Sequence, residues 1–153
     1  MLYPSNPLSP ENSPSIEPLA ADDSEGLERS RDWMKGHFTE PVEEKYAPIE
    51  GKLRLVDAIL SNAWIEPSET WKLQSLGVAL GDALAQELML VWVTVDDEFG
   101  RSAALNWPGT SLICSPITMI SKRVEAGEPV DVYALFQGVS ERLREMAFSG
   151  DFD

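Results

Sequence analysis

The sequence predicts an α+β domain in which a small three-stranded antiparallel meander is covered by about four to five helices. Apolar residues recur at helical spacing on both sides of the centre, whereas the stretch MLVWVTV alternates with a period of two. The strands are therefore clustered between helical runs, which differs from the regular alternation of βαβ units. Because a meander of this size cannot bury its own core face, we expect helices to cover it.

The first 23 residues hold five of the eleven prolines and almost no large apolar side chains. Such a composition cannot bury enough surface to offset its ordering entropy. We therefore interpret residues 1–23 as a disordered tail and residues 24–153 as one domain. A first short helix is expected from Ser24, a suitable N-cap, to about His37.

Two longer helices are predicted before the meander. Apolar side chains recur at helical spacing over about 49–63 and again over about 67–88. Pro67 ends the first pattern and suits the first turn of the second helix, where an N–H is not needed. The apolar stripe of the second helix comprises Leu73, Leu76, Gly77, Leu80, Leu84 and Leu88.

The meander follows directly. In MLVWVTV the valines fall on one face and Trp92 and Thr94 on the other, which is typical of a strand. The turn residues of DDEFGR predict a hairpin to a return strand, SAALNW, and a Pro-Gly pair at 108–109 predicts a turn to a third strand, SLIC.

Two helices should complete the fold. Ser115 and Pro116 form an N-terminal signal, and Gly127 predicts the end of this helix. Asp131 can cap a last helix that reaches about Phe148.

The chain is strongly acidic, with a net charge of −14 and a pI near 4.3. It should be repelled by nucleic-acid phosphates and by anionic membranes, and it could attract a basic protein partner. Charged and polar residues interrupt its longest apolar run, and its N-terminus lacks the features of a signal peptide. We therefore expect a cytoplasmic protein that binds neither nucleic acid nor membrane.

Residues for nucleophilic or metal chemistry are scarce. His37 is the only histidine and Cys114 the only cysteine, so a cysteine-based metal site and an intrachain disulfide are excluded. The chain contains no GxSxG, no phosphate-cradling glycine loop and no HExxH. We expect no metal and no cofactor, and we interpret Cys114 as a small buried apolar residue. Acidic residues are abundant, so chemistry by paired carboxylates stays open.

The segment LGVALGDALAQEL contains residues that weaken an isolated helix. A glycine costs about 0.5–1 kcal/mol relative to alanine in a helix interior. We therefore expect another element to approach closely at Gly77 and Gly81, the alternative being a ligand site. Asp82 lies beside the apolar stripe and needs a partner, or it acts as a functional carboxylate. Its expected cationic partners are Arg101, Lys122 and Arg123.

A dense acidic triplet, Asp96-Asp97-Glu98, precedes Gly100. Calcium loops also place carboxylates near a glycine, but the spacing here does not match the EF-hand pattern. We interpret the triplet as a solvated hairpin tip at which Arg101 neutralises part of the charge.

Three blocks in this order carry a family resemblance: LGVALGDALAQEL, WVTVDDEFGR and PITMISKRVEAGEPVDV. They resemble the bacterial family known as domain of unknown function 3806, over about residues 66–140. The resemblance implies a small bacterial domain without an assigned activity. The residues that match the family's pattern are Gly81, Asp82, Trp92, Asp97, Gly100, Arg101, Lys122 and Arg123.

We expect a non-enzymatic protein that binds a protein partner, with an immunity-type neutraliser of a toxin as the concrete form. The alternative is a small enzyme or ligand-binding protein that holds an anionic small molecule, and it requires the acidic and basic candidates to converge on one pocket. A structural subunit is the third reading, and the oligomeric state stays open. The candidate binding residues are Asp82, Asp97, Arg101, Lys122 and Arg123, and the candidate structural residues are Gly77, Gly81, Trp92 and Gly100.

Overall fold

The computed structural model describes residues 15–98 and 100–150. Within them the chain forms four strands and six helices. In chain order they are β1 Ser15–Pro18, α1 Ala21–Lys35, α2 Val42–Tyr46, α3 Ile49–Ser61, α4 Thr70–Leu88, β2 Val91–Asp97, β3 Gly100–Asn106, β4 Ile113–Cys114, α5 Met119–Glu125 and α6 Val132–Ser149.

The α+β class is confirmed, but the described sheet has four strands where the sequence predicted three. Its order is β1-β2-β3-β4, and every neighbouring pair is antiparallel. The predicted meander corresponds to β2, β3 and β4. The described residues also form six helices, more than the predicted four to five, because the connector after α1 contains α2.

The additional strand, β1, lies within the segment interpreted from its composition as a disordered tail. Ile16 pairs with Val95 of β2 and packs against a small apolar cluster on that face of the sheet. The Thr94 hydroxyl accepts from Ala20 N at 2.8 Å and donates to Asp23 Oδ2 at 2.7 Å. Backbone pairing and one buried hydroxyl thus hold a segment that buries few side chains. Residues 1–14 of the predicted tail lie outside the described residues.

Helix α4 lies at the centre of the fold. It contacts α1, α3, α5 and α6, and Leu76, Leu80 and Leu84 on it are fully buried. One face of the sheet joins this core through Trp92 and Leu105, which are direct neighbours on β2 and β3. The helices therefore cover one face of the meander, as its small size requires.

Across residues 15–98 and 100–150, no helix has an apolar stretch long enough to cross a bilayer.

Candidate functional site

A polar network surrounds the carboxylate of Asp82, on the central helix. Arg31 of α1 donates through Nε and Nη2, each at 2.8 Å. Trp92 Nε1 donates at 2.9 Å from β2, and the Tyr46 hydroxyl donates at 3.2 Å from α2. Each carboxylate oxygen accepts two of these four hydrogen bonds, which fills the acceptor sites of the group. The side chain of Asp82 is 12% exposed, so protein donors replace most of its water.

The same network contains two further titratable groups with shifted pKa values. Lys52 is buried, donates from Nζ to Ala47 O at 2.7 Å and lies 4.8 Å from the centre of the Tyr46 ring. Burial lowers the pKa of Lys52, since desolvation disfavours its charge. Burial, reinforced by the negative charge of Asp82, raises the pKa of Tyr46. The tyrosine therefore stays protonated and remains a donor to Asp82.

The expected partners of Asp82 were wrong, since its cation is Arg31. Arg101 Nη2 instead lies 3.4 Å from Glu17 Oε1 of β1. Arg123 donates from Nη1 to Met119 O at 2.8 Å and lines a groove beside α6. The physical reason is the packing of α1 against α4, which brings Arg31 onto the carboxylate across 51 residues.

Gly77 and Gly81 lie at two close approaches to α4. A Cβ added at Gly77 would overlap the carbonyl oxygen of Ile117, which is backbone. A Cβ at Gly81 would lie 2.6 Å from the Trp92 ring and 2.8 Å from Pro116. The close packing expected at these positions is therefore present, and Gly81 leaves the space that lets Trp92 reach Asp82.

The acidic triplet occupies the β2–β3 hairpin. Asp97 pairs with Gly100 in the strand register, and Gly100 has a φ of 112°, which favours glycine. Asp96 and Asp97 are partly buried, whereas Glu98 is exposed. Among the described residues, no three His, Cys, Asp or Glu side chains are grouped so that they could hold a metal ion.

An exposed aromatic row runs over the surface near the end of α1. Its members, in spatial order, are Trp71, Trp33, His37 and Trp64. The ring centres of Trp33 lie 6.1 Å from Trp71 and 4.6 Å from His37, both edge-to-face, and His37 stacks on Trp64 at 6.1 Å. His37 Nδ1 donates to Trp33 O at 3.0 Å, which orients the imidazole. Trp64 is 54% and Trp71 41% exposed.

A family model described as "Domain of unknown function (DUF3806)" matches residues 52–136, more than half of the chain. The protein belongs to the DUF3806 family. The resemblance predicted from the three sequence blocks is thus confirmed, although the match begins and ends somewhat earlier than residues 66–140.

A solved structure shares the fold. It is a crystal structure from Bacteroides thetaiotaomicron VPI-5482 at 1.50 Å resolution, with a TM-score of 0.68 and 16% sequence identity. The alignment covers 84% of this chain and 48% of that one, so this chain spans about half the length of its structural relative. No curated protein matches the sequence.

The DUF3806 segment contributes only part of the Asp82 network. Asp82, Trp92 and Lys52 lie within residues 52–136, whereas Arg31 and Tyr46 precede them. The network therefore joins the family's segment to the helices before it. Of the other family-pattern residues, Lys122 is exposed on α5.

Sequence reasoning missed Arg31, Tyr46, Lys52 and the aromatic row. A signal for Arg31 was present, because Leu27, Arg31 and Met34 follow one another at helical spacing and both apolar members are buried. No comparable signal existed for the aromatic row, since its rings come from α1, the turn after it, the α3–α4 connection and the start of α4.

Proposed function

We propose that this DUF3806 protein is a non-enzymatic interaction protein whose binding surface is centred on the aromatic row. The observation that carries the proposal is that Trp64 is 54% exposed and Trp71 is 41% exposed. Both belong to the row of contacting aromatic rings. Tryptophan is enriched among the residues that contribute most to protein–protein affinity. Its large ring buries much apolar area at a low cost in side-chain entropy.

The proposed partner is basic. The chain carries a net charge of −14, and Glu66 and Glu69 lie in the connection between Trp64 and Trp71. Acidic groups around an aromatic centre attract a basic partner and raise the association rate. The position of Trp33 between Trp71 and His37 also limits rearrangement, which lowers the entropy lost on binding.

The most specific form of the proposal is an immunity-type protein that neutralises a toxin in the cytoplasm. Its support is the acidic charge of the chain, which suits a protein that covers a basic surface. The enzymatic alternative has less support, because Asp82 is saturated by protein donors and Arg101 pairs with Glu17.

The test begins with affinity capture. The immobilised protein is exposed to a lysate of its native organism beside two variants, Trp64→Ala/Trp71→Ala and Phe148→Ala. Phe148 is a matched aromatic control, since it is 90% exposed but lies on α6. One basic protein should be retained at near-equimolar yield by the wild type and by the control, and lost from the double variant.

The captured protein is then purified and titrated. The captured protein should bind the double variant more weakly than the wild type by about tenfold or more, equivalent to about 1.4 kcal/mol or more. Added salt should slow its association with the wild type. Equal affinity for the double variant, or failure to capture any protein, would overturn the interaction proposal. The immunity-type form further requires that the partner alone arrests growth and that co-expression restores it. A partner that is harmless alone would exclude this form only.

A further inference from the structure

A groove of about 640 Å3 lies between β4, α5 and α6. Neither Asp82 nor any member of the aromatic row lines it. Its volume falls within the range of about 300–1,000 Å3 that is usual for small-molecule sites. The lining is mostly apolar and includes Ile113, Met119, Leu135, Val139 and Leu143.

Two arginines are the only charged residues among the described lining of this α5–α6 groove. Arg123 comes from α5 and Arg142 from α6. Across residues 15–98 and 100–150, neither forms an ion pair, although the chain has 26 acidic residues. Within the described part of the chain, six of the twelve basic side chains pair with a carboxylate, and the six that do not are Arg29, Lys45, Lys52, Lys122, Arg123 and Arg142. Of these six, Arg123 and Arg142 are the two that line the α5–α6 groove.

Gly138 adds an independent observation. It lies in the interior of α6 and lines the groove, and a Cβ added there would meet no atom within 4 Å. Close packing therefore does not require glycine, although glycine costs a helix about 1 kcal/mol relative to alanine. Its missing side chain widens the groove.

Cys114 forms another part of the lining. Burial raises the pKa of Cys114 to about 11, so the thiol is neutral near pH 7. A neutral thiol contributes polarizable apolar surface and no negative charge to oppose the arginines.

We propose that the α5–α6 groove binds a small organic anion with an aliphatic body, such as an alkyl carboxylate, whose charged group contacts Arg123 and Arg142. The guanidinium groups supply charge-assisted hydrogen bonds for the carboxylate. The aliphatic body covers the apolar lining beside Gly138. This inference does not depend on the proposed protein interaction, since the two surfaces share no residue.

Dodecanoate is the probe, and calorimetric titration of the full chain is the measurement. Dodecyltrimethylammonium has the same alkyl chain with the opposite charge, so it separates charge recognition from apolar adsorption. The test variant is Arg123→Gln/Arg142→Gln. Arg144→Gln is the matched control, because Arg144 lies on the same helix but pairs with Glu87 and lines a different cavity.

Dodecanoate should bind saturably with a stoichiometry of one. The cationic analogue should bind more weakly by a factor of about ten or more. The double variant should weaken dodecanoate binding about tenfold, whereas Arg144→Gln should change it less than about twofold. Gly138→Leu should block binding by filling the groove, while Gly138→Ala keeps the fold and most of the space.

Alkylation of Cys114 gives a second measure of binding, since it is the only cysteine and lines the groove. Dodecanoate should slow alkylation of the wild type and have little effect on the double variant. The proposal is overturned if no saturable binding occurs, if both analogues bind equally, or if the double variant matches Arg144→Gln.

Discussion

Arg31 and Asp82 are 51 residues apart in the chain, and two hydrogen bonds of 2.8 Å join the guanidinium to both carboxylate oxygens. This pair links α1 to the central helix α4 beside the core. The hydrogen bonds to Asp82 raise the pKa of Arg31, which therefore stays charged. Removal of one partner from a hydrogen-bonded ion pair of this kind is costly, because the other charge is left without its partner.

Replacement of Arg31 should destabilise the fold. For Arg31→Met we expect the free energy of unfolding to fall by about 2–4 kcal/mol, somewhat below the value for a fully buried pair because the side chains are 20% and 12% exposed. Urea denaturation measures the change. Arg54→Met is the control, since Arg54 is 75% exposed and should lose less than about 1 kcal/mol. Equal losses for the two variants would contradict a stabilising role of the network.

Gly77 and Gly138 should respond in opposite directions to the same substitution. Gly77→Ala should lower stability by about 1–3 kcal/mol, because its methyl group would overlap the backbone of Ile117. Gly138→Ala should raise stability by about 0.5–1 kcal/mol, because the methyl group enters open space and alanine favours the helix. Thermal and urea denaturation of both variants check this contrast. A stabilising Gly77→Ala would show that α4 and the segment at Ile117 separate easily.

Tyr46 should make stability fall with pH above about 10, the ordinary pKa of tyrosine. Burial raises the pKa of Tyr46 in the folded protein, so the unfolded chain loses this proton first and binds fewer protons. Stability contributed by this group is therefore complete below about pH 10 and declines by about 1.4 kcal/mol per pH unit above it. Urea denaturation at pH 9, 10 and 11 measures the decline.

Tyr46→Phe supplies the comparison. At pH 7 this variant should be about 1 kcal/mol less stable, because one hydrogen bond to Asp82 is lost. That deficit should shrink as the pH rises past 10, because only the wild type has this tyrosine to ionise on unfolding. Lys52 is present in both proteins, so its own lowered pKa does not create the difference. If the free energies of unfolding of the wild type and of Tyr46→Phe fell in parallel as the pH rose past 10, Tyr46 would not be the group whose ionisation lowers stability.

Cys114 should react slowly with alkylating agents. Burial raises its pKa to about 11, so at pH 8 its thiolate fraction is about a hundredfold below that of an ordinary cysteine. Iodoacetamide labelling followed by mass spectrometry measures the rate on the single cysteine. The urea-unfolded chain is the control and should label rapidly. Similar rates in the folded and unfolded chains would mean that the thiol is accessible and ionised.

Much of the secondary structure was predictable because its signals are local. The periodicities over about 49–63 and 67–88 correspond to α3 and α4, and the change to a period of two marks β2. The Asp131 cap is also observed, since its side chain accepts from Tyr133 N and Ala134 N. Strand β1 was missed because four residues with one apolar side chain do not stand out in a proline-rich segment. Its stability comes from pairing with β2, which composition does not report.

The sequence by itself determined the α+β class, the central apolar helix, the need for close packing at Gly77 and Gly81, and the need of Asp82 for a cation. Only the tertiary structure decided which cation this is, because Arg31 reaches Asp82 through the packing of α1 on α4. It likewise decided that Trp33, His37, Trp64 and Trp71 form one surface and that Arg123 and Arg142 share one groove. Periodicity and capping act over a few residues, whereas these contacts depend on how distant elements pack in space.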